Sequence, residues 1–214
     1  MTDLQLPPLL NAIKVSKPFE TSVDRVRERK SGAGDLFWAN SQCQADFAVV
    51  LEPDVSRQSA VEMIPLVLVA LADCLAALLP PQVAIQFRDN QHVIVNGGVA
   101  GGLNVAMAKQ RQGSDIPDWL VLSIKLDLRR SDDAVDPGLA PDVTTLDEEG
   151  WEAPDLQELI ETFARHFLSW MAAWDDEGFK PVARAWKLKA ESEIEPDLNA
   201  ISENVIMFES GTGK

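Results

Sequence analysis

The chain has 214 residues, 46% hydrophobic and 25% charged, with a formal net charge of −15. That length and composition fit one large domain with a full core. The charge excludes nonspecific nucleic-acid binding, which needs clustered Lys and Arg, and disfavours an anionic membrane surface.

Residues 1–22 carry Pro7, Pro8 and Pro18 and read as an extended lead-in. MTDLQLPPLL has no basic stretch followed by an apolar one, so no secretory signal is expected. The run from Asp24 to Lys30 is the one dense basic cluster and reads as a solvated face. It abuts Ser31-Gly-Ala-Gly34, which leaves room for an anion, and Leu36 to Ala39 closes that loop. Cys43 and Cys74 form neither a disulfide framework nor a zinc set, and a cytoplasmic location is expected.

Ala45–Leu51 reads as a strand. Ser56 or Ser59 then caps a buried helix running to Leu79, with Glu62 at capping-box spacing from Ser59. Its apolar run, Ile64–Leu79, is shorter than the roughly 20 residues a bilayer requires. Pro80-Pro81 ends it.

Val83–Phe87 and His92–Val95 read as paired strands joined by Arg88–Gln91. Asn96-Gly-Gly-Val-Ala-Gly-Gly102 follows, with four glycines in six residues, a pattern that marks positive φ or close approach to the backbone. It is the expected pocket wall. Leu103–Ala108 is a further strand and 110–118 a polar loop. Trp119–Leu128 alternates with period two from Val121 and is a strand.

Residues 129–155 form an acidic excursion rich in Pro and Gly. Asp155 or Pro154 opens an amphipathic helix presenting Leu156, Leu159, Ile160, Phe163, Phe167, Trp170, Met171 and Trp174, and Gly178 stops it. A short final helix begins at Phe179. Residues 1–190 thus form the domain, and 191–214 a short acidic tail. Helices alternating with hairpin-linked strands predict an α+β fold on a mixed, largely antiparallel sheet.

Few constellations carry chemistry. His92 and His166 lie near no nucleophile elbow, and the histidines and cysteines are too scattered to ligate a metal. Ser210-Gly-Thr-Gly-Lys214 lacks the first glycine of a phosphate loop and reads as a floppy tail. Ser123, Lys125 and Asp127 alternate together and read as a solvated strand face.

In their order, these pieces resemble the catalytic domain of the biotin and lipoate protein ligase family, over roughly residues 20–190. RKSGAGDLFW, Arg29 to Trp38, is similar to the family's Gly- and Arg-rich adenylate loop ending in Trp. Gln86-Phe-Arg-Asp-Asn90 resembles its Lys-Trp-Pro-Asn-Asp turn, and Gly98-Val-Ala-Gly101 its Lys-(Leu/Val/Ile)-Ala-Gly segment. Glu148-Glu-Gly150, the amphipathic helix, and Glu177-Gly-Phe-x-Pro181 with Trp186 resemble its closing helices.

The resemblance implies a fold related to class II aminoacyl-tRNA synthetases. It also implies a small acyl ligand (biotin, lipoate or a related acid) bound by Gly32, Gly34, Trp38, Phe87, Asp89, Asn90, Asn96, Gly97, Gly98, Gly101 and Gly102. Gly98 stands where the family carries its active-site lysine, and Ser31, Ala33 and Gly34 stand where its loop is charged. Arg29, Lys30 and Lys125 are the candidate compensating cations. Two functions follow from that pattern. One is a divergent ligase or acyltransferase, with ATP and Mg as cofactors and a biotinyl or lipoyl carrier domain as acceptor. The other is a non-catalytic module that binds a ligand or a protein on the ligase fold.

Overall fold

The computed structural model describes residues 4–89, 91–109, 114–131, 142–191 and 196–209. Its framework is one eight-stranded sheet in the order β1-β2-β3-β7-β6-β5-β4, with β8 pairing β6 off that path. The strands are β1 (Asn11–Lys14), β2 (Asp35–Ala39), β3 (Gln44–Leu51), β4 (Ile85–Arg88), β5 (His92–Val95), β6 (Gly98–Ala108), β7 (Leu120–Asp127) and β8 (Ile206–Phe208). Among the described strand pairs, only β1–β2 and β6–β8 run parallel. The expected mixed, largely antiparallel α+β sheet is present.

Its two faces differ because alternate residues of each strand point opposite ways. Leu36, Trp38, Phe47, Val49, Val105, Leu122, Ile124 and Leu126 join the main core, on the side of α3 (Met63–Leu78), α4 (Leu156–Glu177) and α5 (Lys180–Lys189). Phe37, Ala48, Val50, Ala106 and Val121 face the other way, under α1 (Pro18–Arg27). A single ten-residue helix covers only part of that second face. This difference positions the site.

The central helix is apolar on nearly every side, with twelve buried residues. Arg57–Leu78, a short α2 (Arg57–Ala60) followed by α3, is 22 residues long, and its most apolar 18-residue window has a mean hydropathy of 2.2. It therefore meets the length and composition of a membrane span, which the shorter apolar run did not suggest. Here 72% of its most apolar window is buried inside the protein. Ser56 accepts a hydrogen bond from the Ser59 amide to cap α2. Glu62 does not complete a capping box; its carboxylate accepts from Trp174 Nε1 at 2.7 Å, and Asp73 likewise accepts from Trp170 Nε1 at 2.8 Å. These bonds secure the outer end of the α4 stripe, while Phe163 packs edge-on against Phe47 with ring centroids 5.2 Å apart.

Four segments differ from expectation. The lead-in is not extended throughout: it holds β1, and then α1 begins with Pro18 in its first turn, where the missing amide costs no helical bond. Leu36–Ala39 is not a loop but most of β2, parallel to β1. Gly98–Gly102 of the glycine-rich segment is the first half of β6. The helix after Phe179 is not the last element, because α6 (Leu198–Glu203) and β8 return to the sheet and bury Ile201 and Val205. The Ser210–Lys214 motif lies outside the described residues.

Candidate functional site

The glycines are accounted for by chain packing. Asn96 and Gly97, with φ of +48° and +90°, form the two-residue turn between β5 and β6, where Val95 pairs with Gly98. Positive φ at both positions is what a twist-compatible hairpin turn demands. A side chain at Gly98 would place its Cβ 2.9 Å from both Cβ and Cγ2 of Thr144. Thr144 is held there by its amide bond to the Val99 carbonyl and by its hydroxyl, which donates to Glu149 Oε1 at 2.6 Å. At Gly101, φ is +149° and a Cβ would come within 2.1 Å of the Lys125 carbonyl. Gly102 admits the Gln91 carbonyl, which accepts from the Leu103 amide. Of these glycines, Gly102 lines a cavity.

The remaining expected ligand residues are dispersed. Phe87 is buried and stacks on Trp186, centroids 4.7 Å apart, while Asp89 is exposed in the β4–β5 turn with φ +52°. Asn90 lies outside the described residues. Trp38 is a core residue of β2, with Lys14 Nζ 5.0 Å from its ring centroid. Gly32 lies against the Glu52 carboxylate, and Gly34, at φ +87°, against the Leu9 carbonyl. Lys30 pairs with Glu28 at 2.7 Å.

Arg29 borders a cavity at the start of β7, beside Trp119. Leu120 pairs with Leu51 there, whereas Gly101 pairs with Leu126 near the other end of the same strand. Those six residues span roughly 20 Å. Neither Arg29 nor Lys30 is brought to the glycine segment.

Chemistry collects instead on the sheet face that α1 leaves partly open. Registers align Ala39, Asp46, Lys125, Gly102 and His92 across β2, β3, β7, β6 and β5. Lys125 Nζ stands 3.5 Å from Asp46 Oδ2. A cavity of about 550 Å³ opens on the Asp46 side, lined also by Lys14, Ser16, Asn40, Ser41 and Gln44. One of about 220 Å³ opens on the Lys125 side, lined also by Gln91, His92, Gly102 and Asn104. The ion pair is the partition between them.

That partition is electrostatically incomplete. Burial pushes the Asp46 carboxyl above its ordinary value, Lys125 opposes the shift, and Glu20 on α1 adds to it. Asp46 Oδ1 is buried without a hydrogen-bond partner among the described residues. So is Ser123 Oγ, on the same face one pair further along, between Ala48 and Asn104. A buried acceptor lacking a donor loses free energy. Gln44, by contrast, donates to Asp127 at 2.9 Å. Cys74 takes no part: burial pushes its thiol up to about 12, and it sits against the Leu159 carbonyl in the core.

Sequence reasoning named Lys125 but missed Asp46 and Lys14. A lone acidic residue breaking the apolar strand Ala45–Leu51 was the available signal for Asp46. Lys14 gave none.

Comparison with known proteins bears on this geometry. Over 150 residues the chain is 28% identical to a biotin–[acetyl-CoA-carboxylase] ligase of Paracoccus denitrificans; the match covers 69% of this chain and 61% of that relative. A biotin protein ligase-like protein of unknown function from Silicibacter sp. TM1040 superposes with a TM-score of 0.79 at 29% identity, covering 88% of this chain and 81% of the other. Aquifex aeolicus biotin protein ligase shares the fold at 15% identity, with a TM-score of 0.65 over 85% of this chain and 78% of its own. The profile of the Biotin/lipoate A/B protein ligase family matches residues 6–188, and the chain belongs to that family.

Proposed function

We propose that this protein binds biotin on the open sheet face, with the Asp46–Lys125 pair as its recognition element. The observation that carries this reading is Asp46 Oδ1, a buried carboxylate oxygen with no donor among the described residues, on the wall of a cavity of about 550 Å³. An ionised carboxylate accepts hydrogen bonds and cannot donate them. Among the acids that the family suggests, biotin carries N–H donors, whereas lipoate and octanoate do not. The ureido N–H suits Asp46, and the ureido carbonyl suits Lys125. Lys14 borders the same cavity, with its Nζ held over the Trp38 ring.

Activation of the biotin carboxylate is a separate matter. Under the family resemblance, residue 98 is where a lysine would stabilise the developing charge, and here Thr144 fills that space. The reading is therefore a binding protein on a ligase framework. Attachment to a carrier lysine is the second reading, favoured by the 28% identity to a biotin ligase. Incubation with ATP, Mg, biotin and a biotin carrier domain separates the two. The binding reading predicts neither pyrophosphate release nor a biotinylated carrier, and turnover of either product overturns it.

A further inference from the structure

The cavity at the other end of the sheet carries an inference independent of the biotin reading. It measures about 320 Å³ and lies where the C-terminal end of α1 meets the end of β3 and the start of β7. Its lining sets cations opposite carboxylates. Arg27 and Arg29 come from α1 and the turn after it, and Glu52 and Asp118 from the strand ends, with Val26 and Trp119 supplying apolar surface.

Opposite charges on one cavity wall would ordinarily neutralise one another directly, yet no ion pair joins the arginines to Glu52 among the described residues. Arg27 stacks instead on the Phe208 ring, 5.4 Å from its centroid. Arg29 holds a left-handed backbone at φ +56°, unfavourable for a side chain of its kind. Ser31 Oγ, also on the lining, is buried without a hydrogen-bond partner among the described residues. Two unneutralised guanidiniums, an unpartnered hydroxyl and a facing carboxylate describe a dipolar pocket.

We infer that this cavity binds a small zwitterion of the α-amino-acid class. The ligand's carboxylate meets Arg27, Arg29 and the Ser31 hydroxyl, its ammonium meets Glu52, and a short aliphatic side chain rests on Val26 and Trp119. Guanidinium forks match carboxylate geometry, and both charges of the ligand are compensated at once.

Calorimetric titration of the full chain with three probes of one shape tests this. L-leucine carries both charges, 4-methylpentanoate only the carboxylate, and 3-methylbutylamine only the ammonium. Leucine is expected to bind saturably, the acid at least tenfold more weakly, and the amine not at all. Arg29→Gly removes the guanidinium and relieves the left-handed strain, so it is expected to raise Tm while abolishing the leucine signal. A merely structural arginine would not split those two readouts. Glu52→Gln is expected to weaken leucine but not 4-methylpentanoate. No saturable leucine binding, equal binding of the acid, or undiminished leucine binding by Arg29→Gly would each overturn the inference. Biotin titration of Arg29→Gly is unaffected on this account, so the two sites fail or stand separately.

Discussion

A methyl group at position 98 would be driven to 2.9 Å from Thr144, so Gly98→Ala tests the sealing of that site by one residue. Overpacking of this kind costs about 1–3 kcal/mol, and a urea midpoint lowered accordingly is the expected result. An unchanged midpoint would mean that the segment around Thr144 moves aside freely, reopening the question of a side chain there. Sequence inspection marked these glycines as sites of positive φ or close approach, and at Gly98, Gly101 and Gly102 neighbouring parts of the chain make that approach. Asn96-Gly97 between two strands is itself a strong hairpin signal, whereas the demand at Gly98 comes from Thr144, 46 positions on, which no local pattern announces. The Asp46–Lys125 pair is similarly hidden, because β3 and β7 become neighbours only when the sheet forms.

At the scale of elements, period and punctuation were enough for most of the frame. The alternation after Trp119 gave β7, and the stripe from Leu156 to Trp174 gave α4 with its Asp155 cap and Gly178 stop. Residues 18–27 were harder to read. Pro7, Pro8 and Pro18 suggested an extended chain, while the amphipathic helix that Pro18 begins buries only Pro18, Ser22, Val23 and Val26. The return of the C-terminal segment was not legible either, since its three-residue strand is defined by β6. Ile201 anchors that return, and Ile201→Ala is expected to lower stability by about 2–5 kcal/mol, measured by denaturant unfolding. A solvated tail would show no loss.

The α3–α4 contact adds a pH dependence. Burial raises the Glu62 carboxyl, and the Trp174 hydrogen bond only partly offsets it. A carboxyl raised in the folded state is ionised less readily there than in the unfolded chain. Its contribution is therefore most favourable below the ordinary carboxylate value and is lost as pH rises through the elevated one. Glu62→Gln keeps an acceptor for Trp174 and removes the charge. It should leave stability near pH 4 unchanged and raise it at pH 8 by about a few tenths of a kcal/mol, screened because the group is partly exposed. Thermal melts at both pH values read the difference directly, and equal melts at pH 8 would remove Glu62 as a titrating contributor.

For the whole molecule, one helix-covered sheet face supplies the core, and the other, partly bare, carries the Asp46–Lys125 pair proposed to bind biotin. Titration of biotin into the protein by calorimetry tests that division most directly, with lipoate and octanoate alongside and Asp46→Ala in parallel. A hydrogen bond to a charged group is worth about 1.5–3 kcal/mol, so Asp46→Ala should weaken biotin by about one to two orders of magnitude. Saturable biotin binding, much weaker binding of the two acids without N–H donors, and that loss on substitution are the predicted results. No saturable biotin binding, lipoate bound as tightly as biotin, or an Asp46→Ala variant with undiminished affinity would contradict the account.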